Sequence, residues 1–69
     1  MTVKQLVLAA SGYAGISSAE LARRLGWSAQ NLNKRLNTGK LSLPEWEAIA
    51  QALGAKLNIS FEFPDGKQI

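Results

Sequence analysis

The sequence predicts a mainly α-helical domain of four helices followed by a C-terminal β-strand or short hairpin. Serine residues that open capping boxes, and glycines that follow apolar stretches, mark the ends of the predicted helices. Between these marks the apolar residues recur at spacings of three and four, and near residue 56 the period changes to two. The 69 residues predict a single domain, 1–69.

The composition narrows the classes of function. The chain has no Cys and no His, which removes disulfides, the usual zinc ligands and the common nucleophile and base pairs. No apolar run approaches the ~20 residues that a membrane span needs. We therefore expect a non-enzymatic, cytoplasmic module with no catalytic residue, no metal or other cofactor, no membrane association and no small-molecule ligand.

The first two helices are predicted over about residues 3–11 and 18–25. Thr2 is the expected N-cap of the first helix and Gly12 its stop. The apolar positions of that helix are Val3, Leu6, Val7 and Ala10. Ser17 and Glu20 form the capping box of the second helix, and Gly26 is expected to end it as a left-handed cap.

The third and fourth helices are predicted over about residues 29–37 and 43–53. Ser28 is the expected cap of the third helix, whose Leu32 and Leu36 lie about 40° apart on one face. The opposite face is polar and carries Gln30, Asn33, Lys34 and Asn37. A second capping box, Ser42 with Glu45, opens the fourth helix, and Gly54 follows its end.

The C-terminal segment alternates apolar and polar residues. This pattern predicts a half-buried strand over about residues 56–63, whose apolar side chains are Leu57, Ile59, Phe61 and Phe63. The turn residues 64–67 follow, and residues 68–69 form a short return strand in the simplest arrangement.

The basic residues are concentrated in the middle of the chain. Between Leu21 and Pro44 there are five basic residues and no acid, a formal charge of +5, while the rest of the chain sums to −2. A basic segment with acidic flanks indicates a polyanion as partner, although a solvated surface gives the same pattern.

These features together resemble the helix-turn-helix family of the phage Cro and repressor proteins, also called XRE-like. The resemblance rests on residues 21–28, on the following Gln30-Asn31-Leu32, and on residues 49–54, and it covers roughly residues 2–54. The family landmarks correspond to Ala22, Gly26 and Leu32. The chain departs from the family where Arg35 replaces a frequent aliphatic residue, and Leu36 is expected to take that core position.

The resemblance implies a DNA-binding surface on the third helix. The residues implied to contact bases in the major groove are Gln30, Lys34, Asn33 and Ala29. The residues implied to contact phosphates are Ser28, Asn31, Arg23, Arg24, Arg35 and Lys40. The large residue Trp27 in the connection between the two helices is expected to cover the core rather than to contact DNA.

Some Cro-type proteins pair C-terminal strands, which makes a homodimer an option here. Residues 56–63 would then pair with the same segment of a second chain, and a two-fold dimer predicts a pseudo-palindromic operator in double-stranded DNA. The alternative is a strand that folds back within its own chain and pairs only with residues 68–69.

The favoured function is a sequence-specific DNA-binding regulator of phage or bacterial type, most simply a repressor. The alternative is a helix-turn-helix module for protein contact, such as an antitoxin or an assembly adaptor. A DNA-binding module needs the face formed by Gln30, Asn33 and Lys34 to be exposed and basic, and the absence of acids there favours DNA.

Overall fold

The computed structural model describes residues 1–69 as four helices and a C-terminal arm, which we define as residues 55–69. The helices are α1 (Val3–Ala14), α2 (Ser18–Leu25), α3 (Ala29–Thr38) and α4 (Leu43–Ala52). The predicted four-helix, mainly α architecture is confirmed. None of the helices has the length and apolar character needed to cross a membrane.

Helix α1 begins where the sequence predicts and ends later. The Thr2 hydroxyl accepts a hydrogen bond from the Gln5 amide, and the Gln5 side chain accepts one from the Thr2 amide, which closes a capping box. The predicted stop at Gly12 is wrong, because Gly12 lies inside the helix and the left-handed cap is Gly15, with φ of +72°. Helix α1 continues because an interior glycine costs only about 1 kcal/mol relative to alanine.

Helix α2 is short and is anchored by two buried residues. Leu21 and Ala22 are buried on its inner face. The Ser17 hydroxyl caps the Glu20 amide at 3.1 Å, as predicted, but the return half of the capping box is not formed. The Glu20 carboxylate instead bonds two arginines of its own helix. Gly26 ends the helix in the left-handed conformation predicted for it.

Helices α3 and α4 have the predicted caps. The Ser28 hydroxyl accepts a hydrogen bond from the Asn31 amide at 3.0 Å. At the start of α4 both halves of the predicted capping box are present between Ser42 and Glu45. Gly39 ends α3, and Gly54 follows α4 with a positive φ.

The core lies where the four helices meet. Its fully buried apolar residues are Val7, Leu21, Ala22, Leu32, Leu36 and Ile49. Ser11 is the buried polar residue, and its hydroxyl donates to the Ile16 carbonyl just beyond the end of α1. Leu36 occupies the core while Arg35 does not, as expected from the departure noted in the sequence.

The C-terminal arm is a short hairpin rather than an eight-residue strand. Backbone hydrogen bonds pair Phe61 with Ile69 and join the Phe63 amide to the Lys67 carbonyl at 2.8 Å. Residues 56–60 have no ladder, and the apolar side chains of the arm are exposed except for Leu57, which is half-buried. The half-buried strand predicted over 56–63 is therefore not formed within one chain, whereas the predicted alternative, a short hairpin that pairs with residues 68–69, is confirmed.

The arm lengthens the molecule. Its radius of gyration is 13.2 Å, with extents of 43 × 23 × 20 Å. A compact domain of this size has a radius of gyration of about 11 Å. The helical body alone cannot account for the difference, because each helix is at most 12 residues long.

Candidate nucleic-acid interface

The outer face of α3 is polar, and its side chains have no partner within the chain except Asn37, whose Oδ1 accepts from the Lys4 Nζ. Leu32 and Leu36 fix the inner face of the helix in the core. Gln30, Asn33 and Lys34 are exposed on the opposite face, and none of their side chains makes a hydrogen bond or an ion pair within the chain. Side chains that are presented without internal partners are available to the edges of bases.

The start of α3 offers backbone donors beside this face. Ser28 is the N-cap, and its side chain is used by the Asn31 amide. The first amides of the helix, at Ala29 and Gln30, have no carbonyl of a preceding turn to bond. Such a helix start favours a phosphate, and no acid lies in the first turn of α3 to oppose one.

Two of the arginines in the basic segment are paired by one acid. Arg23 and Arg24 both bond the Glu20 carboxylate, at 2.7 Å and 3.0 Å. The hydrogen bonds from Arg23 and then Arg24 hold the pKa of Glu20 below its usual value. Arg24 also donates to the Ala52 carbonyl at 2.9 Å, which ties α2 to the end of α4.

Arg35 is held by three neighbours. Its Nε donates to the Asn31 Oδ1 at 2.9 Å, and its guanidinium forms an ion pair with Glu45. The guanidinium carbon lies 4.6 Å from the centre of the Trp27 ring. Trp27 itself packs against the core, as predicted for a residue that covers it.

The cations left unpaired near α3 are lysines. Lys34 and Lys40 are exposed and form no ion pair. Lys4, which lies outside the basic segment of the sequence, also reaches α3, where its Nζ donates to the Asn37 Oδ1 at 3.0 Å. No local pattern marks Lys4, since 33 residues separate it from Asn37.

The four predicted dimer residues are not gathered into a core within one chain. Phe61 is 72% exposed, Ile59 and Phe63 are also exposed, and only Leu57 is half-buried. Leu57 lines a groove between α1 and α4 that has a volume of about 250 Å³. The groove is mainly apolar and is lined among others by Leu6, Ala10, Trp46 and Leu53.

Comparison with known proteins identifies one family. The model of the Cro/C1-type HTH DNA-binding domain matches residues 12–58, which is more than half of the chain. The matched range includes α2, α3 and α4 and ends inside the arm. Neither the curated proteins nor the solved structures contain a match to this chain.

Proposed function

The chain belongs to the Cro/C1-type HTH DNA-binding domain family, and on that premise we propose that it is a sequence-specific transcriptional repressor of phage or bacterial type. Helix α3 inserts into the major groove of double-stranded DNA, in the manner of a helix-turn-helix. The observation that carries the proposal is the outer face of α3, where Gln30, Asn33 and Lys34 are exposed and their side chains have no partner in the chain.

The residues on this face have distinct roles. Gln30 and Asn33 each present a donor and an acceptor, which suits the adenine edge, and Lys34 suits the guanine acceptors. Ala29, exposed at the start of α3, contacts a thymine methyl group. Base contacts by these four residues give the complex its sequence preference.

Phosphate contacts come from the helix start and from the cations around it. Ser28 and Asn31 contribute at the start of α3, and Lys40 contributes after its end. Arg23 and Arg24 share the single charge of Glu20, so together they retain one net positive charge toward DNA. Lys4 adds a cation that the sequence did not predict for this surface.

The arm supports a homodimer that binds a pseudo-palindromic operator. The backbone groups of Phe61 and Phe63 bond residues 66–69, whereas the backbone groups of Asn58, Ser60 and Glu62 make no hydrogen bond within the chain. Residues 56–63 of a second copy pair along this free edge without opening the hairpin. The pairing covers apolar side chains that a single chain leaves in water.

DNA binding is tested by titrating a mixed-sequence duplex at several salt concentrations. Nonspecific binding in the micromolar range is expected, and it weakens steeply as salt rises. Backbone amide shifts measured by NMR should centre on residues 28–40. If those amides do not shift at low salt, the proposal of DNA binding through α3 is wrong.

A matched pair of charge variants locates the interface. Lys34→Gln is expected to lower affinity and to reduce the slope of log K against log salt by about 0.9 if Lys34 reaches a phosphate, and by less if it contacts a base. Lys67→Gln makes the same charge change in the arm, where Lys67 is exposed and unpaired. Equal losses for the two variants would show that net charge, and not α3, governs binding.

The dimer is tested by sedimentation of Phe61→Asp. The dimer model predicts a folded monomer for this variant and a dimer for the wild type. Tyr13→Asp is the control, because Tyr13 is an aromatic residue that is 96% exposed in α1, away from the proposed edge. A wild type and a Phe61→Asp variant of the same mass would reject the strand-paired dimer.

The apolar groove between α1 and α4 favours a second candidate, a module for protein contact such as an antitoxin or an assembly adaptor. The groove does not include the outer face of α3, so a protein partner in it leaves that face free. Leu6 is half-exposed in the groove. Leu6→Gln should then weaken partner binding and leave DNA binding unchanged.

A further inference from the structure

Arg35 differs from Lys34 and Lys40, the unpaired cations near α3, because its guanidinium already has partners within the chain. Nε is bonded to Asn31, and the guanidinium is paired with Glu45 and stacked on Trp27. Both oxygens of the Glu45 carboxylate have a partner, since the one not paired with Arg35 accepts from the Ser42 amide at 2.8 Å. Releasing Arg35 toward DNA would leave the Glu45 carboxylate without its cationic partner, and the side chains of this pair are only 34% and 25% exposed.

The bond from Arg35 determines which end of the Asn31 amide faces outward. An asparagine side chain carries a carbonyl acceptor and an NH₂ donor, and a phosphate accepts hydrogen bonds only from the donor. Arg35 has donors and no acceptor, so it binds the Asn31 oxygen and turns the NH₂ group away from itself. Asn31 is exposed in the first turn of α3, next to the free amides of the helix start.

We propose that Arg35 is a positioning residue and not a phosphate contact: it holds the Asn31 amide with its NH₂ donor directed to a DNA phosphate. Glu45 and Trp27 fix Arg35 in turn, so the start of α4 and the connection before α3 both support the contact. This inference rests on the proposed DNA-binding function.

The test removes the ion pair without changing the net charge. The double variant Arg35→Gln with Glu45→Gln is compared with wild type in duplex titrations over a range of salt. Affinity should fall on the order of fivefold, the equivalent of one hydrogen bond, while the slope of log K against log salt stays the same. Lys40→Gln is the control for a phosphate contact, and its slope should fall by about 0.9.

A double-mutant cycle then asks whether Arg35 acts through Asn31. Asn31→Ala should weaken DNA binding in the wild type and have no further effect in the double variant Arg35→Gln with Glu45→Gln (the pair-deleted variant), because both changes remove the same contact. Additive losses would overturn the inference. A slope that falls by about 0.9 in the pair-deleted variant would also overturn it, since that result makes Arg35 a phosphate contact.

NMR of the wild-type chain gives a readout that does not depend on the variants folding. On addition of the duplex, the Asn31 side-chain NH₂ resonances should shift and the Arg35 Nε–H resonance should stay nearly unchanged. The reverse pattern rejects the positioning role while DNA binding stands. Failure of the wild type to bind any duplex rejects the proposed function itself, and the positioning role with it.

Discussion

At the end of α1, replacing either of two glycines by alanine is predicted to change the free energy of unfolding in opposite directions. Gly12 lies inside the helix, and Gly15 is its left-handed cap with φ of +72°. A Cβ built at either position meets no atom within 4 Å, so steric contact contributes to neither result. Replacing each glycine by alanine therefore isolates the conformational preference of the backbone.

Gly12→Ala should stabilise the protein by about 0.5–1 kcal/mol, because alanine restricts the unfolded chain and favours the helix. Gly15→Ala should destabilise it by about 1–2 kcal/mol, the cost of a left-handed conformation for a residue with a Cβ. In a domain of this size 1 kcal/mol corresponds to about 4–8 °C in Tm. The two variants should then melt on the order of 10 °C apart.

The assay is thermal and urea unfolding followed by circular dichroism at 222 nm. A rise in the free energy of unfolding for Gly12→Ala, together with a fall for Gly15→Ala, is the expected result. If α1 ended at Gly12, as the sequence alone predicts, Gly12→Ala would be the destabilising change. That outcome would refute the helix boundary and the reasoning based on it.

Three further predictions concern the core, a charge and a cap. Leu21→Ala should lower the free energy of unfolding by about 2–5 kcal/mol because Leu21 is fully buried, and urea unfolding should show that only a small part of the wild-type stability remains. Glu20→Gln should lower Tm at neutral pH, since the pKa of Glu20 is depressed by Arg23 and Arg24 and its ionised form stabilises the fold. That difference in Tm is complete above the usual pKa of 4.5 and should disappear as pH falls through the lowered value; a difference unchanged at pH 2 would contradict the cause given. Ser42→Ala should cost about 1 kcal/mol in urea unfolding through loss of the α4 cap, and no loss would show that the Glu45 half of the box suffices.

The sequence predicts best the features that depend on bonds between residues close together in the chain. The caps at Thr2, Ser28 and Ser42 join residues three apart, so their partners can be found without the fold. The core residues Leu32 and Leu36 follow from helical spacing alone. These features together position the outer face of α3.

The sequence fails where two partners compete or where the partner is distant. The Glu20 carboxylate could accept a hydrogen bond from the Ser17 amide and complete a capping box. Arginines one turn later bind this carboxylate instead, because a charged donor binds it more strongly than a backbone amide does. The pairing of Arg35 with Glu45 and the approach of Lys4 to Asn37 depend on how helices pack. Charge counted along the chain therefore overstates the number of free cations near α3.

The arm shows a different limit of prediction from sequence. Alternation of apolar and polar residues over 56–63 indicates one face that is to be covered, but the pattern does not say which chain covers it. Within one chain that face stays in water, apart from Leu57. The periodicity is consistent with the proposed dimer, for which the sedimentation of Phe61→Asp is the direct test.

The shortness of the helices has a consequence for every binding measurement. Helices α2 and α3 have eight and ten residues, fewer than the about 12–15 that an isolated helix needs to persist in water. The outer face of α3 thus exists only while the core is intact, and the chain has no state in which α3 stays formed after the core melts. The apparent Kd of any variant equals its intrinsic Kd divided by the folded fraction. A substitution far from α3 that leaves half of the molecules folded will double the apparent Kd without altering a single contact to DNA.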